Sequence, residues 1–203
     1  YKRQGYRGAR MLLGNPEIVR IQTRAICSAV QRIRDEKETV TIGLEIPLII
    51  DFKEVGLFKE IVHEVLDQYD SERKSEYKIG AMIETPRACH QIERIAGLVD
   101  FISFGTNDLT QSFLSLSRDD TDNFIDVYAE REIFLNNPFL VLDQDGVGEV
   151  IRETCERAKR INPQIEISIC GEQAGDPSSI HFLKSCKLDV LSCSVSKIPI
   201  AIF

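Results

Sequence analysis

The sequence predicts an α/β fold built on a parallel sheet. Short β-branched apolar runs alternate with longer stretches of helical period along the whole chain. Each run reads as apolar enough to be buried on both faces, which is how strands of a parallel sheet read. Reactive polar residues also gather just past the ends of several runs.

The elements follow in order. Asn15 and Pro16 supply an N-cap and a first helical residue. Ile18, Ile21, Ala25, Ala29, Val30 and Ile33 then keep a helical period up to the charged stretch 34–38. A strand is predicted over 40–47. A second helix has Asp51 near its start and Val55, Phe58, Ile61, Val62, Val65, Leu66 and Tyr69 on one face. A polar turn covers 70–76. Next come a strand over 78–84, a helix from Pro86 to Ala96, a strand over 100–104 and a helix opened by Gly105-Thr106-Asn107-Asp108. Beyond an irregular segment at Asn136-Asn137-Pro138, a helix is predicted over 146–161 and a strand over 165–170, broken at Gly171. Asp176-Pro177 opens a further helix, and 189–194 is the last strand.

Composition excludes several classes. At 203 residues the chain has room for one domain or one and a half, at roughly 100–200 residues per domain. With 43% apolar and 28% charged residues it is neither disordered nor collagen-like. Twenty-five basic against 32 acidic residues leave a net charge of −7, which argues against nucleic acid as a partner. No apolar run approaches the ~18 residues of a membrane span. Six cysteines without CxxC spacing suit the reducing cytoplasm better than a disulfide framework or a zinc site. The chain opens on Tyr1 and is expected to be a piece of a longer protein.

Periodicity does not choose between an open Rossmann-type sheet and a barrel. Neither G-x-G-x-x-G nor G-x-x-x-x-G-K-[ST] follows any strand, which lowers the dinucleotide and P-loop readings. Glu84, Asn107-Asp108 and Cys170 stand at the C-terminal ends of different strands, where (β/α)₈ barrels assemble active sites. With five strands out of eight, the expectation is a partial TIM barrel with two unpaired sheet edges, prone to self-association in isolation.

Glu84 and Asp108 lie at matching ends of strands that stand about 4.8 Å apart when adjacent, so two carboxylates can share one hard cation such as Mg²⁺. Equally, each can be a cap or first-turn acid held by the helix dipole. Gly105-Thr106-Asn107 offers backbone N–H groups to an anion, or is an ordinary tight turn. Cys170 abuts a glycine turn on the face expected for the carboxylates, where a thiol can serve as a proton donor; the other five cysteines read as buried small hydrophobes. Arg7 and Arg118 are candidate anion clamps. His63, His90 and His181 are isolated, and no Ser-His-Asp set or metal-histidine cluster is present.

Taken together, GYRGARMLLGNPEIVRIQTRAI, GLEIPLI, GAMIETPRA, FISFGTNDLTQSFLSLSRDD, NPFLVLDQDGVG, ISICGEQAGDPSS and VLSCSVSKIPIA resemble the phosphoenolpyruvate-binding barrel of the PEP-utilising enzymes. The resemblance spans nearly all of residues 1–203 and is greatest to the pyruvate, phosphate dikinase branch, with the synthase and sugar-transport phosphotransferase branches more distant. It implies the last five β/α units of an eight-unit barrel. It implies that Glu84 and Asp108 hold Mg²⁺, that Asn107 with the Gly105-Thr106 backbone contacts phosphate and enolate, and that Cys170 protonates C3 of enolpyruvate. Arg118 matches an arginine that binds phosphoenolpyruvate in the phosphotransferase branch, and Arg7 matches a motif arginine near the site. Partners implied are an ATP-binding domain and a phosphohistidine domain of the same longer chain, and a second copy through a barrel-mediated homodimer.

The chain departs from the family at Gln173 and Ala174, where dikinases commonly have His and Gly, and at Tyr6, where His or Trp is usual. The early strands, with two substrate-binding arginines of the family, are missing. The isolated piece is therefore expected to be inactive. A non-catalytic dimerisation or interaction module is a second reading. An unrelated enolase-type barrel is a third, and it would need a Lys or His base at a strand end.

Overall fold

The computed structural model describes residues 5–70, 72 and 76–202. Its helices are α1 (Ala9–Gly14), α2 (Pro16–Asp35), α3 (Phe52–Tyr69), α4 (Pro86–His90), α5 (Ile92–Ala96), α6 (Thr106–Leu114), α7 (Ile125–Glu130), α8 (Glu149–Ile161), α9 (Pro177–Ser185) and α10 (Ile198–Ile202). Its strands are β1 (Ile42–Ile46), β2 (Tyr77–Ile83), β3 (Phe101–Gly105), β4 (Glu166–Cys170) and β5 (Val190–Ser192). All five strands pair in parallel in the order β1-β2-β3-β4-β5. Parallel crossovers are right-handed, so stepping one strand at a time in a single direction puts every crossover helix on the same side of the sheet.

That side holds the core. Leu44 and Ile46, Ile79, Ala81 and Ile83, Ile102 and Phe104, and Ile167 and Ile169 alternate along β1 to β4 and are buried under the helices. The intervening residues point the other way. Glu45, Gly80, Phe101 and Glu166 stand in one register row, with Met82, Ser103 and Ser168 in the next. Gly105, Cys170 and Ser192 make a row at the C-terminal ends. Several of these, Glu45, Met82, Phe101, Ser168 and Cys170 among them, are only half-buried. The expectation of strands buried on both faces therefore holds fully for the face under the helices; the other mixes polar and apolar residues, some buried, such as Ser103, and others half-buried.

Local departures have local causes. Asn15 occupies the N-cap of α2, but its side chain turns back to Met11 O (3.1 Å) at the C-terminal end of α1 and to the Tyr6 hydroxyl (3.3 Å), and does not cap α2. The buried stripe of α2 is Val19, Thr23, Cys27 and Val30, whereas Ile21 and Ile33 are exposed. In α3 the expected face holds except at Tyr69, and Asp51 with Glu54 forms a capping box. The single helix predicted from Pro86 to Ala96 breaks at Gln91, because Arg157 takes the Cys89 and His90 carbonyls at 3.3 and 2.8 Å. The helix predicted from Gly146 starts at Glu149, after a wide turn in which the Asp143 side chain accepts from Val147 N. Part of the polar turn expected at 70–76 lies outside the described residues. All six cysteines are free; Cys27, Cys89, Cys155 and Cys186 are buried, while Cys193 is only half-buried. No helix among the described residues is long and apolar enough to cross a membrane.

Candidate active site

The C-terminal ends of β2, β3 and β4 bring the sequence-predicted residues together. β2 stops at Ile83, so Glu84 follows directly on the face of Gly80 and Met82. It is not a helix cap; Thr85 caps α4 by accepting from Ala88 N. Glu84 Oε1 instead accepts the Leu48 N–H at 2.7 Å. Leu48 holds a left-handed φ of 53°, a conformation rare for a bulky residue, and this aims its N–H across the strand ends. The other oxygen lies over Gly105, where a Cβ would stand 2.4 Å from Glu84 Oε2. Only glycine permits that approach.

Glu84 is 4% exposed. Burial is the main cause that pushes its carboxyl up to about 7; the Leu48 N–H pulls it down, Asp108 raises it, Arg7 lowers it and Glu45 raises it. Asp108 sits in the first turn of α6. Its Oδ1 also accepts from Arg7 Nη2 at 2.5 Å. Arg7 reaches it because Gly8, at φ 63°, lies against the end of β1: a Cβ there would be 2.6 Å from Leu48 Cβ. Ala9 N–H then bonds Pro47 O at 2.8 Å.

Cys170 pairs with Gly105 across β3 and β4, which places its side chain on the face of Glu84. Burial is the main reason its thiol lies above the ordinary range; the Ser103 hydroxyl lowers it, and the Glu45 and Glu84 carboxyls raise it. At neutral pH it is a thiol, which is what a proton donor requires. Thr106 Oγ1 lies 2.9 Å from the Cys170 carbonyl, and Asn107 Oδ1 accepts from Glu172 N at 3.4 Å. Arg118 stands at the rim, its Nη2 3.6 Å from Glu172 Oε1. Thus Arg7, Glu84, Gly105, Thr106, Asn107, Asp108, Arg118 and Cys170 surround one region at the strand ends.

Sequence reading missed Glu45, and it noted Gln173 only as a departure from the family, with no role assigned. Glu45 alternates with Leu44 and Ile46, and that period alone would have put it on the opposite face. Its Oε1 is buried without a hydrogen-bond partner, and burial pushes the carboxyl up to about 7. The folded chain holds this proton well above the pH at which an unfolded glutamate loses it, so unfolding releases it and stability falls as pH rises from about 4.5 to about 7. Glu45→Gln should therefore be more stable than the parent at pH 8, by on the order of 2 kcal/mol, and little different at pH 4.5. Urea unfolding of both proteins at the two pH values, without divalent cations, checks this; a gain of equal size at both would refute it.

Among the described residues no group of three or more His, Cys, Asp or Glu is placed to hold a metal. Glu84 and Asp108 remain as a two-carboxylate set, close enough that Asp108 raises the proton affinity of Glu84. This fits Mg²⁺, which keeps waters and takes one or two carboxylates plus substrate oxygens.

In overall fold the chain is similar to the HpcH/HpaI aldolase from Desulfitobacterium hafniense DCB-2, with a TM-score of 0.50 and 16% identity over 93% of this chain and 85% of that one. In sequence it is 42% identical over 202 residues to pyruvate, phosphate dikinase of Rickettsia bellii, covering 97% of this chain and 23% of that enzyme. It is 40% identical over 200 residues to the dikinase of Clostridium symbiosum, with the same coverage, and 40% over 199 residues to pyruvate, phosphate dikinase 2 of Oryza sativa subsp. japonica, covering 97% and 22%. The chain thus spans about a quarter of the length of these relatives. The family model described as PEP-utilising enzyme, PEP-binding domain, matches residues 4–202, which take in every side chain placed above. A match over that span, joined to 40% identity, makes this chain a member of the PEP-utilising enzymes, within their PEP-binding domain.

Proposed function

We propose that the chain is the C-terminal part, about five of eight units, of a (β/α)₈ barrel that binds phosphoenolpyruvate and pyruvate in a dikinase-type phosphotransferase. The observation that carries this is the Cys170 thiol on the same sheet face as Glu84, across Gly105. Open edges at β1 and β5 suit a barrel completed by further strands.

In this reading Glu84 and Asp108 hold Mg²⁺, which when bound neutralises charge on the enolate and phosphoryl oxygens. Arg7, on Asp108 in the present structure, and Arg118, at the rim, add cationic charge for the substrate's anionic groups. Asn107 and the Gly105-Thr106 backbone contact phosphate and enolate. Cys170 donates its S–H proton to C3 of enolpyruvate as the double bond moves to the carbonyl, giving pyruvate and a thiolate. The phosphoryl group passes between the substrate and a histidine of another domain, which exchanges with an ATP-binding domain of the same longer protein. The setting is cytoplasmic, and the intact enzyme pairs through its barrel.

Titration of oxalate, a planar mimic of the pyruvate enolate, tests the site. Calorimetry should register Mg²⁺-dependent binding that Asp108→Asn weakens at least about tenfold, the loss expected for a carboxylate that neutralises a bound cation. Equal binding with and without Mg²⁺, or no effect of Asp108→Asn, would overturn the assignment of these two carboxylates.

A further inference from the structure

Gln173 lies in the turn Glu172–Gly175 after β4 and is 0% exposed. An amide in such a place must satisfy two donors and a two-lone-pair acceptor internally. It does so with three residues from two chain segments, α6 and the irregular segment that holds Pro138. Nε2 donates to Pro138 O at 2.8 Å and to Thr110 Oγ1 at 3.3 Å, and Oε1 accepts from Thr106 Oγ1 at 2.7 Å. The reverse orientation would set Oε1 against the Pro138 carbonyl, two acceptors face to face, so the amide is locked one way round. Thr106, also 0% exposed, has its Oγ1 2.9 Å from Cys170 O as well. Its single hydroxyl proton therefore bridges the end of β4 and the Gln173 amide.

These bonds form one buried chain from the Cys170 carbonyl through Thr106 and Gln173 to Pro138. Thr106 opens α6 immediately before Asn107 and Asp108, while Cys170 carries the thiol. The helix start that presents the amide and carboxylate is thereby tied to the strand end that presents the thiol. Gly171, in the left-handed region at φ 128°, leaves the room this needs, since a Cβ there would come within 2.0 Å of Thr106 Oγ1.

We propose that Gln173 is a positioning residue that sets the Asn107–Asp108 edge of the site in register with Cys170. Its functional part rests on the phosphoenolpyruvate-site reading. Gln173→Met keeps the volume but neither donates nor accepts. Gln173→His supplies one donor and one acceptor, enough to take the Thr106 proton and bond Pro138. Ile151→Val, on the buried face of α8, is the control for lost stability.

Two readouts on the folded chain decide the matter. Backbone amide resonances of Asn107, Asp108 and Glu172 should shift in Gln173→Met, return toward the parent in Gln173→His and stay put in Ile151→Val. Mg²⁺-dependent oxalate affinity should fall about tenfold in Gln173→Met and recover to within about twofold in Gln173→His, since small misplacements of binding groups carry costs of that order. Unmoved resonances in Gln173→Met, or equal losses of affinity in all three variants, would overturn the proposal. Shifted resonances in Gln173→Met, beside a parent chain that binds no oxalate either alone or when extended upstream to a full barrel, would support the positioning role and overturn the phosphoenolpyruvate-site reading instead.

Discussion

Replacing Cys170 with alanine in an enzyme that carries this barrel segment should slow pyruvate formation by about 10²–10⁴-fold, the usual effect of losing a positioned general acid. The ATP-side half-reaction should stay within about twofold of normal, because no proton passes to carbon in it. The structure supplies three reasons to expect so large an effect. Cys170 lies on the face of Glu84, in register with Gly105. Burial, together with the Glu45 and Glu84 carboxyls, outweighs the Ser103 hydroxyl and keeps the thiol protonated at neutral pH. No His or Lys in the described site stands in a position to replace it; Arg7 and Arg118 are the cations there, and guanidinium does not give up a proton. The same placement sets a sign for pH. Pyruvate formation should decline as pH rises through the thiol's elevated pKa, while the ATP-side reaction should lack that limb. Isotope exchange measured separately for each half-reaction provides the check. Equal losses in both would remove Cys170 from the proton-donor role.

The second large effect is on stability. Gly171→Ala combines a left-handed backbone, unfavourable for any residue with a Cβ, with a methyl that would stand 2.0 Å from Thr106 Oγ1. Relief requires Thr106 to leave a fully buried place where its oxygen contacts both Cys170 O and Gln173 Oε1. Strain and lost hydrogen bonding together should cost on the order of 3 kcal/mol. For a chain of this size that is a fall of roughly 6–12 °C in Tm. Gly56→Ala is the opposite case. It sits inside α3 with no atom within 4 Å of an added Cβ, and alanine there should stabilise by about 0.5–1 kcal/mol. Urea unfolding of the two variants side by side separates these outcomes. A Gly171→Ala chain as stable as the parent would mean that the turn relaxes without disturbing the buried network.

How far the site was legible depended on the kind of signal. Glu84, Asn107, Asp108 and Cys170 were found because strand-end placement is a local property: an apolar run ends, and the next polar residue is presented at the edge of the sheet. Glu45 was missed although its signal was equally local. An acid between Leu44 and Ile46 has to point away from their face, but the run was read as buried on both sides. Gln173 stood out only as a departure from the family, and nothing local marked a role for it. A glutamine after a strand is ordinary, and only the folded chain brings Thr106, Thr110 and Pro138 to its amide.

By itself, the sequence determined the alternation of strand and helix, the five strands and the residues at their ends. These follow from side-chain period and from Pro, Gly and Asx punctuation, which act within a few residues. Tertiary structure decided the rest. It broke the helix at Gln91 through Arg157, turned Asn15 away from capping α2 and left one face of the sheet only partly covered. It brought Arg7 onto Asp108 across 101 residues and joined Leu48 to Glu84. Each of these depends on a partner distant in the chain, and local period carries no information about which distant group will arrive.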